Sequence, residues 1–262
     1  MEKKKNRGKK AIMIIGLILC LLLAFGSGFI AMRKFLNDKK SNDEYKDIEE
    51  QVISNDISIL NPEIPFYVDF EKLQEINPDV KGWIYIPCID ASYPIMQTDN
   101  NEYYLHRTIE RTELYAGSII LDCDNASDYS DPNTIIYGHN MMNGSMFGHL
   151  WWIVFRGAAS EDPYFWIFTP EKVYRYAMFS GYETTIYTDT YRLFNFRNRE
   201  FKSWCYEMAS WSYVDFGEFE FSTSSRVVTL STCSGTSHTQ RTIVQGVQDK
   251  ELDYFITVPE EP

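Results

Sequence analysis

The feature that most constrains this chain is an uncharged run from Ala11 to Met32, AIMIIGLILCLLLAFGSGFIAM. Wound as a helix at about 1.5 Å per residue, it reaches roughly 30 Å, the thickness of a bilayer's hydrocarbon core. Lys3, Lys4, Lys5, Arg7, Lys9 and Lys10 precede it, and Arg33 and Lys34 follow. That bias favours a cytoplasmic N-terminus. The competing reading is a cleaved signal peptide, for which Ala24 to Ala31 offer small residues near the end of the run. Signal cores span about 7–15 apolar residues, so the longer run here favours an uncleaved single-pass anchor in the cell membrane, with the bulk of the chain extracytoplasmic.

Charge is distributed to match. Residues 1–40 carry 10 Lys and Arg against 2 Asp and Glu, which leaves 15 against 35 for the rest. Such an acidic body repels phosphates, so nucleic acid is not an expected partner. A chain that is 44% hydrophobic and 16% aromatic supplies a core for one sizeable domain. The expected organisation is a basic cytoplasmic segment (1–10), a transmembrane anchor (11–32), a polar juxtamembrane stalk with a helix that is a candidate to pack on the domain (33–64), and a globular domain (65–262).

Within that domain, Asp69 is placed to cap a short helix, FEKLQEI, which Asn77-Pro78 stops. β-type runs follow at 83–86, 93–97, 117–121, 133–138, 173–180, 226–231 and 241–247, separated by turn residues. Phe201, Trp204, Cys205, Met208 and Trp211 recur at helical spacing. Many short strands with few helices predict a mainly β fold, a closed or nearly closed barrel with flanking helices. The aromatic segment 151–168 leaves two readings, of which packing on the barrel is preferred to Trp151 and Trp152 covering a groove.

Five cysteines, at 20, 88, 123, 205 and 233, include no CxxC pair and so suggest neither a disulfide framework nor a zinc site. Cys20 lies in the apolar run and reads as an apolar filler of the membrane span; Cys205 on the helical stripe, and Cys88 and Cys123 in or beside strand-like runs, read as core. Cys233 differs. It closes the run RVVTLSTC and opens into the small, polar stretch SGTSHTQ, which presents a thiol at a sheet edge. Arg241 begins the next β-like run, and a hairpin would put the two residues near its open end or across from one another. A guanidinium there favours the thiolate and offers planar donors to an oxyanion. Of four histidines, His139 ends a strand in YGHNM and is the candidate proton carrier. His106 and His149 read as surface or capping residues, and His238, between Cys233 and Arg241, is the rival.

The strings TLSTC followed by Arg241, and YGHNM with GSMF after it, resemble the signature of class B sortases. The resemblance extends through INPDVKGWIYIP, YPIMQ, DNNEYYL and AGSIILD, covering roughly Val68 to Val247. It implies a closed eight-stranded sortase-type β-barrel outside the membrane of a Gram-positive type cell. It also implies a transpeptidase that cleaves a C-terminal sorting signal of secreted surface proteins through a thioacyl intermediate. Cys233 falls on the family's nucleophile, His139 on its histidine and Arg241 on its arginine. The acceptor is then a peptidoglycan cross-bridge amine or a pilin lysine, and neither metal nor organic cofactor is required. The loop between Cys233 and Arg241 is short against many class B members. Reference pKa values of about 8.5 for Cys and 6.5 for His leave on the order of 1% of molecules with thiolate and imidazolium together at pH 7, so slow turnover is expected unless the site shifts both groups. Three other readings remain open: a pilus polymerase, a cysteine endopeptidase with water as acceptor, and a non-catalytic membrane-tethered binding domain.

Residues 11–32 are expected to stay in the mature protein. N-terminal sequencing of membrane-extracted protein should show no start near residue 30; such a start would mean cleavage.

Overall fold

A computed structural model describes the backbone of residues 2–55, 60–233 and 239–255 and the side chains within 13–55, 60–232 and 239–255. Its first element is one 51-residue helix, α1 (Glu2–Val52). The helix of the apolar run therefore continues without a break into the polar stretch read as a stalk, as far as Val52. The reason lies in the last turns. Ser41, Tyr45, Ile48 and Val52 are buried at a spacing that puts them on one helix face. The Tyr45 hydroxyl donates to the Gly117 carbonyl at 2.7 Å, and its ring meets Tyr93 edge-on at 5.5 Å. A helix that carries the apolar segment thus ends inside the domain core.

A two-stranded ribbon, β1 (Ile53–Ser54) with β2 (Tyr67–Val68), leads to α2 (Phe70–Ile76). Asp69 caps this helix by accepting from the Lys72 N–H, as its sequence predicts. The barrel strands follow: β3 (Val80–Ile86), β4 (Ala91–Met96), β5 (Ile119–Leu121), β6 (Asn133–Tyr137), β7 (Tyr164–Phe168), β8 (Val173–Thr185), β9 (Val227–Cys233) and β10 (Gln240–Leu252). They close in the order β10-β8-β7-β3-β4-β5-β6-β9, the expected eight-stranded barrel, with no edge left open. Two pairings are parallel, β4 with β5 and β6 with β9. Seven of these strands correspond to the β-type runs of the sequence. The eighth, β7, lies in the aromatic segment 151–168, whose first half is α3 (Leu150–Arg156). Trp152 is half-buried and packs against the main core, with its ring 3.8 Å from that of His149. Packing is thus the reading that holds for it.

The helical stripe forms α4 (Arg199–Ser210), and its Phe201, Trp204, Cys205 and Met208 are buried. They join Phe179 and Tyr182 of β8, Val227 of β9 and Ile243 of β10 in a second core outside the barrel. Burial pushes the Cys205 and Cys88 thiols up to about 12, which makes both inert near neutral pH. Cys123 departs from its core reading. It is partly exposed, and its thiol is held above the ordinary range by desolvation and by the flanking Asp122 and Asp124 carboxylates.

Ile48→Ala, which hollows the seat of α1, should destabilise the domain by about 2–5 kcal/mol. A fall in melting temperature measured in detergent would show it; an unchanged midpoint would mean that α1 is not part of the fold.

Candidate active site

Three strand ends meet at one end of the barrel. In the β9–β10 hairpin, Cys233 is the cross-strand partner of Arg241, one of the two placements a hairpin allows. β6 runs parallel beside β9 with Tyr137 opposite Ser231, and the Gly138 N–H extends the ladder by donating to the Ser231 carbonyl at 3.1 Å. His139 therefore emerges at the end of β9 that carries Cys233. A cavity of about 270 Å³ opens there, with His139, Arg241, Thr232, Tyr137 and Leu105 among its walls. His238, the rival histidine, lies outside the described residues.

His139 is half-buried, and its Nε2 lies 2.7 Å from the Leu105 carbonyl oxygen. A carbonyl only accepts, so Nε2 carries a hydrogen, and Nδ1 is the nitrogen left to gain and lose the mobile proton. Burial holds the imidazole below the ordinary histidine value; the Leu105 hydrogen bond opposes this, and nearby His106 adds to the lowering. His106, read from sequence as a surface or capping residue, is exposed but stacks on His139 at 5.2 Å and 13°. Tyr115 completes the group, 5.2 Å from His139 and 5.6 Å from His106. Three near-parallel rings thus limit the tilt of the imidazole.

The Leu105 carbonyl is itself fixed from below. Asn77, buried at the end of α2, donates to the Ile109 carbonyl at 2.6 Å and to the Tyr104 hydroxyl at 2.7 Å. Tyr104 in turn donates to Asp79 at 2.7 Å, and its carbonyl accepts from the Ser118 N–H at 3.0 Å. Gly117 closes the arrangement. It sits at φ +57°, and a Cβ there would come within 2.2 Å of the Leu105 oxygen. Only glycine combines this left-handed backbone with so close an approach. Sequence reasoning missed Leu105, Tyr115 and Gly117, because two of them act through backbone geometry and none stands in a chemistry-bearing motif.

Arg241 is half-buried, and its Nη1 donates to the Gln240 carbonyl at 2.8 Å. Its charge is permanent, so it serves as a fixed cation and donor at this end of the barrel. Just after β5, Asp122 accepts from two residues of the cavity wall, Tyr137 at 2.7 Å and Asn101 at 3.1 Å. Those bonds engage a carboxylate that also stands with Cys123 and Asp124, the one trio among the described residues whose potential metal-ligating atoms lie within 4.8 Å of one another.

The sequence profile of the Sortase domain matches residues 84–249. Over 251 residues the chain is 31% identical to Sortase B of Listeria monocytogenes, covering 94% of this chain and 98% of that protein. Over 243 residues it is 26% identical to Sortase B of Staphylococcus aureus, covering 91% and 96%. Among solved structures, a Staphylococcus aureus sortase B–substrate complex superposes with a TM-score of 0.70 at 26% identity, covering 82% of this chain and 99% of that one. The matched domain begins in β3 and ends in β10, so the likeness takes in all eight barrel strands, and the chain belongs to the sortase family of cysteine transpeptidases, in class B.

Proposed function

We propose that this sortase cleaves a sorting signal near the C-terminus of secreted proteins and joins the acyl part to a cell-wall amine, with Cys233 as nucleophile, His139 as proton carrier and Arg241 as anion-stabilising partner. The observation that carries this reading is the cross-strand pairing of Cys233 with Arg241 beside a cavity walled by His139. The Cys233 thiolate attacks a backbone carbonyl carbon, and the Arg241 guanidinium stabilises the charge that develops on its oxygen. As the C–N bond breaks, the departing amine takes the Nδ1 proton of His139, and a thioester remains on Cys233. The acceptor amine attacks that thioester and loses a proton to His139; the new amide forms and the thiolate is released. The long helix α1, apolar enough from Met13 onward to cross a membrane, anchors the enzyme with its basic N-terminus inside and its barrel outside the cell.

Mass spectrometry of products from a peptide library with candidate amines tests the reaction. Amide-joined products support transpeptidation, whereas products unchanged by any amine would point to an endopeptidase. Cys233→Ala should abolish cleavage with circular dichroism unchanged, while Cys88→Ala, Cys123→Ala and Cys205→Ala keep activity. Arg241→Lys retains the charge but loses the planar fork, and should lower kcat by about 10²–10³. His139→Ala should remove most turnover yet leave iodoacetamide alkylation of Cys233 intact at high pH, where the thiolate forms unaided. Loss of cleavage in His238→Ala, with His139→Ala active, would overturn the assignment.

Burial penalises the imidazolium, so His139 should titrate below about 6.5. NMR on Cys233→Ala isolates that effect from any thiolate; a midpoint above the ordinary value would show that the ring is not desolvated as described.

A further inference from the structure

The path of α1 across the domain fixes which end of the barrel faces the bilayer. Three contacts and one shared cavity mark it. Nearest the helix C-terminus, Val52 accepts through its carbonyl from the Asp69 N–H at 2.9 Å, beside the β1–β2 ribbon. Further back, Tyr45 is bonded to Gly117. Asn37 then shares a surface cavity with His106 and Tyr115, the two rings stacked on His139. Last, the Lys34 ammonium donates to Met142 Sδ at 3.3 Å, and Met142 lies in the turn that follows His139. The apolar run ends at Met32, so Asn37 stands only about 7–8 Å further along the helix axis. A bilayer's polar layer is roughly 5–8 Å deep on each side.

The surface at that level is unusual for a domain in water. Phe35 and Leu36 are 63% and 54% exposed on the helix, and Tyr115 and Met142 are 58% and 88% exposed on the barrel. Arg33 and Lys34 sit among them. Apolar and aromatic side chains mixed with cations, just beyond a membrane span, are what a headgroup layer accommodates. The far end of the domain, with Phe255 against Tyr67 of β2, lies beside the end of α1, about 27 Å of helix away from Lys34.

We propose that the catalytic mouth is docked on the outer headgroup layer of the membrane that α1 spans, with Met142, Tyr115, Phe35 and Leu36 as its lipid-facing residues. This rests on α1 being the membrane anchor. The unbroken helix acts as a short, stiff post that holds the cavity of His139 and Arg241 at the bilayer surface. The enzyme is then preset for chains that are themselves held at the membrane. Substrates free in solution gain nothing from this placement.

The test uses the full chain with Cys233→Ala, and with Cys20, Cys88, Cys123 and Cys205 also replaced by Ala, in vesicles of phosphatidylcholine and phosphatidylglycerol. A fluorophore is attached at Met142→Cys, Phe255→Cys or Leu22→Cys, and quenched by lipids carrying a nitroxide on the headgroup or deep in the acyl chain. Leu22 should be quenched from the acyl chain and Met142 from the headgroup, with Phe255 several-fold less affected by either. Equal, weak quenching at Met142 and Phe255, with Leu22 deep, would overturn the docking. An unquenched Leu22 would remove the anchor and the docking with it. Separately, in the active enzyme, about ten Gly/Ser residues inserted between Met32 and Arg33 replace the stiff post by a coil spanning roughly 17 Å. Cleavage of a soluble peptide should be unchanged, and cleavage of a lipid-tethered peptide should fall at least several-fold. Equal rates on the tethered peptide before and after insertion would count against the docking. Absence of soluble-peptide cleavage in both forms would instead count against the proposed chemistry.

Discussion

A chain of buried hydrogen bonds runs across four neighbouring strands, and the active-site end of the barrel depends on it. Tyr182 of β8 donates to Gln245 Oε1 of β10 at 3.3 Å, Gln245 Nε2 donates to Thr229 of β9 at 2.9 Å, and Thr229 donates to Asn133 of β6 at 2.8 Å. Asn133 passes the chain on to the Arg192 carbonyl at 3.0 Å. Asn133, Thr229 and Gln245 are all fully buried. A strand slipped by one residue would strand several of these groups without partners, each costing about 1–3 kcal/mol. It would also turn every side chain of the slipped strand to the other face. The network therefore selects one register among β6, β9 and β10, and that register sets Cys233 against Arg241 with His139 alongside.

The parallel pairing of β6 and β9 explains why such a lock is placed there. Antiparallel neighbours can be joined by a tight turn, but parallel ones need a long crossover. Here the crossover contains α3, β7, β8 and α4. Nothing local holds β6 beside β9, so their alignment comes from side chains, and polar ones discriminate between registers where apolar ones tolerate a shift. The Tyr191 hydroxyl, 2.8 Å from Ser231 Oγ, adds a further tie just before Cys233.

How far the sequence reveals this arrangement follows from the same physics. Val173–Phe179 is legible from its alternation in residue type and the stretch ending at Cys233 from its β-branched content, although Val227–Thr232 is buried on both faces. The run YFWIF of β7 is buried along nearly its whole length, so alternation is absent and the strand reads as an aromatic anomaly. A helix packed on the domain after Arg33 is legible as an expectation, but its unbroken continuity with the anchor is not, because only every third or fourth residue is buried, among many charges. His139, Cys233 and Arg241 are side chains of chemistry-bearing types, which is why the sequence singles them out as candidates. Leu105 and Gly117 work through a carbonyl and a missing Cβ, which no pattern of residue types advertises. His106 looked like a surface histidine and is exposed; its stacking on His139 depends on a tertiary contact.

Under the roles proposed for the site, the quantity that governs reactivity is the difference between the two pKa values. Moving a proton from Cys233 to His139 creates the thiolate and the imidazolium together, so a one-unit fall in the histidine value costs tenfold, about 1.4 kcal/mol. Burial of His139 acts in that unfavourable direction. Two groups act against it. Arg241 favours the thiolate through its fixed charge, and the Leu105 carbonyl favours the imidazolium because Nε2–H is a stronger donor when the ring is charged. The second depends on the Leu105 oxygen staying 2.7 Å from Nε2, which in turn depends on the absent Cβ of Gly117. The turn at Gly117 is also where Tyr45 of α1 attaches. The helix that leads from the apolar segment and the carbonyl that tunes the histidine thus share one residue, so a disturbance of how α1 seats on the barrel reaches the proton carrier through a single peptide unit.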